Sequence, residues 1–176
     1  FLLQRPVHFI HLLNLAALLR NLGRLDEAVA LSRRVLETNP DNLQAMTNVS
    51  SLLLQAGNTR EALEAAQLMV QRVPEAAVGH YNLAVALLHV RRPSDGEAEA
   101  LKALELGMDA PALHLALAQS RQMLQRYDGA LEASERALAL REDSKSHFSK
   151  AMALKGLGRV DEAVYFASEA EVLALD

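Results

Sequence analysis

Near the start of the chain, Leu12, Leu15, Ala16 and Leu19 stand at i, i+3, i+4 and i+7, the spacing of one buried face of an α-helix. Gly23 follows, where a left-handed C-terminal cap is wanted. A second helix is expected from near Asp26 to near Pro40. The same two-helix pattern then returns. Pro6, Pro40 and Pro74 lie 34 residues apart, and so do Asn14, Asn48 and Asn82. Gly23 and Gly57 keep that step, as do Ala28, Ala62, Gly96 and Ala130. The block LGRLDEAV at 22–29 reappears as LGRVDEAV at 157–164, a shift of 135, one short of four periods. The missing residue is placed near 143–144, between helices, where it leaves packing untouched. Asp26, Asn58 and Asp95 sit where a side-chain oxygen caps free amides, and Ser94 with Glu97 has capping-box spacing. Helix pairs of this length cannot bury their apolar faces alone, so they stack into a solenoid.

Composition agrees with helix throughout. Hydrophobic residues make up 51% and aromatics only 4%, so the core is built from Ala and Leu. Net charge is −4 with a pI near 5.9, the wrong sign for a nucleic-acid binder, which needs a basic stripe. There is no cysteine, which removes disulfides and thiolate metal sites. A cytoplasmic location is expected, although cysteine absence fits a bacterial periplasm equally. No apolar run is long enough to cross a bilayer. The opening FLLQRPVHFIHLL is broken by Arg5 and Pro6 and has no initiator Met. It reads as a cut end.

The chain resembles the tetratricopeptide repeat family. The resemblance rests on Leu15–Ala16, Val49–Ser50, Leu83–Ala84 and Leu117–Ala118 in the first helices, and on the small residues Ala28, Ala62, Gly96, Ala130 and Ala163 in the second. It implies an all-α fold: a right-handed α-solenoid of antiparallel helix pairs, with about five repeats and an N-terminal partial repeat. The repeats are placed at 9–42, 43–76, 77–110, 111–143 and 144–176 of a single array, with 1–8 the end of a truncated repeat. There are departures from the family pattern. Met108 and Glu142 stand where prolines fall, with Gly107 and Pro111 as substitute punctuation. The first aromatic site holds Leu12, Met46, His80, His114 and His147, and Arg121 replaces an apolar residue. Arg91 takes the place of a turn glycine in RRPSDG, where looser packing is expected.

Helical geometry puts Asn14 opposite the buried leucines. Beside it lie Leu13, Thr47, Tyr81, Val85, Leu88, Leu115, Gln119, Phe148 and Met152 in successive repeats. That strip carries almost no carboxylate, although the chain has 22 acidic residues. Exposed apolar surface marks binding sites, and the resemblance implies that first helices line an inner face holding extended peptides. The alternative is that these residues pack on neighbouring helices. Asn14, Asn48 and Asn82 each offer a donor and an acceptor. At ~8–10 Å per layer they would grip an extended backbone about every three residues of ~3.3 Å. The alternative is bonding to the adjacent helix. A carboxylate clamp of the kind chaperone-binding members use is not expected: of its positions only Asn48 conforms, while Leu13, Ala17, Val78 and Asn82 occupy others.

The histidines do not suggest chemistry. His80, His114 and His147 occupy one equivalent site in three repeats, a layer apart, whereas zinc ligands stand ~2 Å from a shared ion. They read as packing residues. His8 and His11 form an i, i+3 pair with no third ligand nearby. No nucleophile–His–carboxylate set, phosphate loop or cofactor motif is present. The last helix, with Val164, Tyr165, Phe166, Val172, Leu173 and Leu175, is apolar at nearly every angle, so a covering element or another chain is expected there. Phe1, Leu2 and Leu3 raise the same expectation at the other end. The leading reading is a non-catalytic module for a protein or peptide partner, with no nucleic acid, no membrane insertion and no cofactor. The alternatives are the substrate-recruiting arm of a larger enzyme such as a glycosyltransferase, and a scaffold forming homo-oligomers through uncapped ends.

Overall fold

The computed structural model describes residues 6–175, with side chains from Phe9 onward. The apolar residues 1–3 and the side chain of His8 lie outside the described residues. Among those described the fold is all-α, with ten helices: α1 (Pro6–Asn21), α2 (Leu25–Thr38), α3 (Leu43–Gln55), α4 (Thr59–Arg72), α5 (Ala77–His89), α6 (Pro93–Glu105), α7 (Pro111–Met123), α8 (Tyr127–Leu140), α9 (Ser144–Gly156) and α10 (Val160–Val172). Odd-numbered helices are the first of each repeat and even-numbered helices the second. Two compact units result, one ending at Val90 and one beginning at Arg91. In the first, α1 to α5 pack in chain order, and the first helices also meet directly, α1 on α3 and α3 on α5. In the second, α6 to α10 do the same, with α7 on α9. This is the stacked helix-pair arrangement of an α-solenoid.

The turns inside the repeats share one geometry. Gly23, Gly57 and Gly158 have φ of 74°, 80° and 75°. Each ends its helix in a Schellman motif, as where the Gly23 N–H donates to Arg20 O and the Arg24 N–H to Leu19 O. The two equivalent positions without glycine, Arg91 and Gln125, take the same left-handed conformation at φ 62° and 59°. The boundary between the compact units falls at Arg91. The connection 141–143 has three residues where 39–42 and 73–76 have four, so the residue missing from the period is lost between α8 and α9.

Small residues let paired helices approach. Ser50 and Ala62 are both fully buried where α3 meets α4, and the Ser50 hydroxyl donates to Ala62 O at 3.3 Å. Around that contact Leu19, Val29, Val49, Leu52 and Leu53 form one cluster, and Ala66, Leu83, Ala86 and Leu87 form the next. In the second unit Leu113, Leu117 and Leu154 fill the interior with Ala118, Ala130, Ala133 and Ala151.

Several local expectations need correction. The second helices are not capped by carboxylates at their N-termini. The N-cap residue is Arg24 in α2, Arg92 in α6 and Arg159 in α10, with no side-chain cap bond. Asp26 and Asp95 lie inside the first turn. The guanidinium of Arg24 reaches Glu27 instead, Arg92 reaches Asp95 and Arg159 reaches Glu162. Asn58 is an N-cap whose side chain makes no cap bond. Ser94 lies within α6 and forms no capping box with Glu97. Pro6 opens α1, where a proline at the first helical position costs no hydrogen bond, whereas Pro40 and Pro74 lie in connections. Leu15 is 46% exposed rather than core, because it shares an exposed edge of α1 with Leu18.

Candidate functional site

The odd-numbered helices α1, α3, α5, α7 and α9 contain no Asp or Glu, so all 22 acidic residues lie on second helices, in connections or at the C-terminus. That separation follows from the repeat. The second helices carry the charged outer turns, while the first helices keep amides, small residues and apolar groups.

In the first unit, Asn14 is exposed, as is Ile10 beside it, and Leu13 is half-buried. On α3, Thr47 and Asn48 are half-buried, and Asn48 Oδ1 accepts from Gln44 Nε2 at 3.1 Å. On α5, Tyr81 and Val85 are half-buried, and burial pushes the Tyr81 phenol up from its ordinary value. Two members of the expected strip do not face solvent. Asn82 is 6% exposed, and its Nδ2 lies 3.9 Å from Met69 Sδ on α4, so it bonds the adjacent helix. Leu88 is 4% exposed. The reason is that α5 is apolar on nearly every side, with eight of its residues buried. The three equivalent asparagines therefore occupy three settings: exposed, half-buried and buried.

In the second unit, Gln119 is exposed and Leu115 half-buried on α7. Gln122 Nε2 donates to Ser149 O at 3.0 Å and ties α7 to α9. On α9, Phe148 is 59% and Met152 39% exposed. Their outward stripe is continued by Lys145 and Lys155, both exposed.

The three equivalent histidines are buried and serve the connections that precede their helices. His80 Nε2 donates to Pro74 O at 2.8 Å. His114 Nε2 donates to Asp109 Oδ1 at 2.7 Å, and Arg136 reaches the other carboxylate oxygen. The His114 N–H and then the Arg136 guanidinium hold the Asp109 carboxyl below its ordinary range. His147 Nε2 stands 3.4 Å from Glu142 Oε1, an ion-pair separation without a hydrogen bond, and its ring lies 5.8 Å from that of Phe166. Among the described residues no group of three or more His, Asp or Glu could hold a metal ion. No helix among them is long and apolar enough to cross a membrane.

Sequence reasoning missed two clefts on the side of the second helices. In the first unit a cleft of about 340 Å³ is lined by Leu36, Met46, Val49 and Leu68, with Arg33 and Glu61 paired at 2.9 Å beside it. An equivalent cleft in the second unit, lined by Leu104, His114, Leu117 and Arg136, measures about 480 Å³. The signal was present in Leu36 and Leu104, which sit at matching places in second helices. In the sequence Arg121 marks only a departure from the apolar pattern. Its Nε donates to Glu97 Oε1 at 2.9 Å and its other arm to Gly129 O at 3.0 Å, while Arg126 takes Glu97 Oε2 at 2.8 Å.

Helix pairs with Schellman turns, small residues at their crossings and stacked first helices define a repeat scaffold for protein interaction. The chain belongs to the tetratricopeptide repeat family: profiles of that repeat match residues 11–39 and 50–111, together just over half of the chain. The crystal structure of a thermophilic tetratricopeptide repeat protein from Thermus thermophilus is 25% identical, with 96% of this chain and 92% of that one aligned and a TM-score of 0.83. A tetratricopeptide repeat protein from Parabacteroides merdae is 20% identical over 97% of this chain and 67% of that one, with a TM-score of 0.78. The MamA protein is 20% identical over 92% and 89%, with a TM-score of 0.70. Comparison with functionally curated proteins finds no match.

Proposed function

We propose that within each unit the first-helix face holds an extended segment of a partner protein. The observation that supports this is the exposure of Ile10 beside Asn14 in the first unit, and of Phe148, Met152 and Gln119 in the second, on helices without a carboxylate. Apolar groups supply affinity on such a face, and amides bond a peptide backbone without reading its sequence. In the first unit Asn14 and Asn48 are the amides offered, with Leu13, Thr47, Tyr81 and Val85 as walls, while Asn82 is turned to Met69; in the second unit Gln119 is the amide and Leu115 the wall. The experiment is selection of binders from a random peptide library, followed by Asn14→Ala with Asn48→Ala, and separately Gln119→Ala. Several-fold weaker binding with unchanged helicity is the expected result. Unchanged affinity in both variants removes the amide contact.

A second reading, self-association, is favoured by α10. Val160, Val164, Tyr165 and Val172 are all exposed there, and only Ala163 and Ala170 are buried. Exposed apolar surface of this kind associates. Sedimentation velocity across a hundredfold concentration range tests it, and a constant monomer coefficient counts it out.

A further inference from the structure

In the second unit the outward stripe of α9 reads Lys145, Phe148, Met152, Lys155, at i, i+3, i+7 and i+10. These positions share one side of a helix. All four side chains are exposed. Neither terminal lysine forms an ion pair among the described residues, whereas Lys150, on another side of the helix, is held 2.9 Å from Glu135 and lies over the Phe166 ring. Neither α7 nor α9 contains an acidic residue. The two free lysines therefore bracket an apolar pair on a helix that carries no carboxylate of its own, in a chain of net charge −4.

Beside the stripe lies a recess of about 400 Å³ between α9 and α10. Its walls are Phe148 and the methyl groups of Ala167, Ala170 and Ala174. Its floor is fixed by the Ser144 hydroxyl, which donates to Ala170 O at 2.8 Å. Lys145 stands on one rim and Glu171 on the other, so an incoming carboxylate is directed to the lysine side.

We infer that this α9 face binds an extended acidic peptide with an apolar anchor: a leucine or phenylalanine side chain in the recess, flanked by carboxylates that meet Lys145 and Lys155. The inference rests on the peptide reading above and specifies its chemistry. Ten residues of helix separate the lysines by about 15 Å, which an extended strand covers in four to five residues at ~3.3 Å each. Lysines this far apart cannot close on a single carboxylate, so the match is to two internal acidic side chains rather than to a chain terminus.

The test uses the full chain and fluorescence anisotropy. The probe is a labelled peptide with two glutamates four residues apart, leucine and phenylalanine between them, and the comparison is its glutamine analogue. The glutamate peptide is expected to bind about tenfold tighter at low salt, with the difference shrinking at 0.5 M salt. Lys145→Glu with Lys155→Glu is expected to reverse the preference, and Lys145→Gln with Lys155→Gln to abolish it. Phe148→Ser with Met152→Ser should weaken both peptides. All are exposed positions, and circular dichroism checks the fold. Equal binding of the two peptides, indifference to the lysine variants, or equal competition by an oligonucleotide of the same charge overturns the inference. If peptides still bind on the first helices in those cases, the broader peptide reading stands. If neither probe nor any library peptide binds the folded chain, both fall.

Discussion

The turn after each first helix shows how one backbone angle sets residue choice. Gln125 takes φ 59° where three equivalent positions hold glycine. A side chain in the left-handed region costs about 1–2 kcal/mol, and glycine's extra chain entropy gives back roughly 0.5–1 kcal/mol of that. Gln125→Gly is therefore expected to stabilise the chain by about 0.5–1 kcal/mol, read as a rise of roughly 1–4 °C in Tm. Gly156 is constrained by space instead. A Cβ there would come within 2.2–2.5 Å of the Tyr127 ring, at the root of the ring, where it has little freedom. Gly156→Ala is expected to cost about 1–3 kcal/mol by overpacking. Combining it with Tyr127→Leu, the residue type at the equivalent Leu25, should recover most of the loss in a thermal melt.

Between helices, polar groups do what apolar packing leaves undone. Glu97, on α6, is shared by Arg121 of α7 and Arg126 just before α8. Glu97 and Arg121 are mostly buried, so losing the carboxylate leaves a guanidinium short of partners. Glu97→Gln is expected to cost about 1–3 kcal/mol in urea denaturation, with little change in m-value. Asp109 performs a similar task for the connection between α6 and α7, where His114 and Arg136 hold its carboxyl low. A carboxyl depressed in the folded state contributes stability above its unfolded pKa, about 4, and that stability is lost as pH falls through the folded value. Asp109→Asn should therefore melt below the parent at pH 7. The gap should close as pH is lowered from about 4 towards the still lower folded value.

At the level of the whole chain, acidic charge is separated by helix parity from the face proposed for binding. Acidic residues crowd the second helices and connections, which keeps the surface well hydrated, while the first helices keep the amide and apolar groups proposed to meet a partner. A photo-crosslinking side chain at Thr47 or Gln119 is expected to capture bound peptide. The same group at Arg34 or Gln67, exposed on second helices, should capture little. Capture at the second-helix positions instead would move the binding face to the clefts beside Leu36 and Leu104.

The sequence alone determined the repeat and, through it, the fold. Asn, Gly, Ala and Pro kept one period together, and a period shared by unlike residues leaves a chain of helix pairs little choice but to stack. Helix parity and the equivalence of His80, His114 and His147 were legible for the same reason, since both depend on residue number. Burial on the individual helix was not. Asn14, Asn48 and Asn82 are identical in the sequence pattern, yet only packing put Asn82 against Met69 and left Asn14 in solvent. Nor did short-range rules place Arg24 and Arg159 at helix starts or carry Arg121 to Glu97, 24 residues away. Periodicity fixes which face a residue occupies. What lies against that face is decided by neighbouring helices, and that information exists only once the chain has folded.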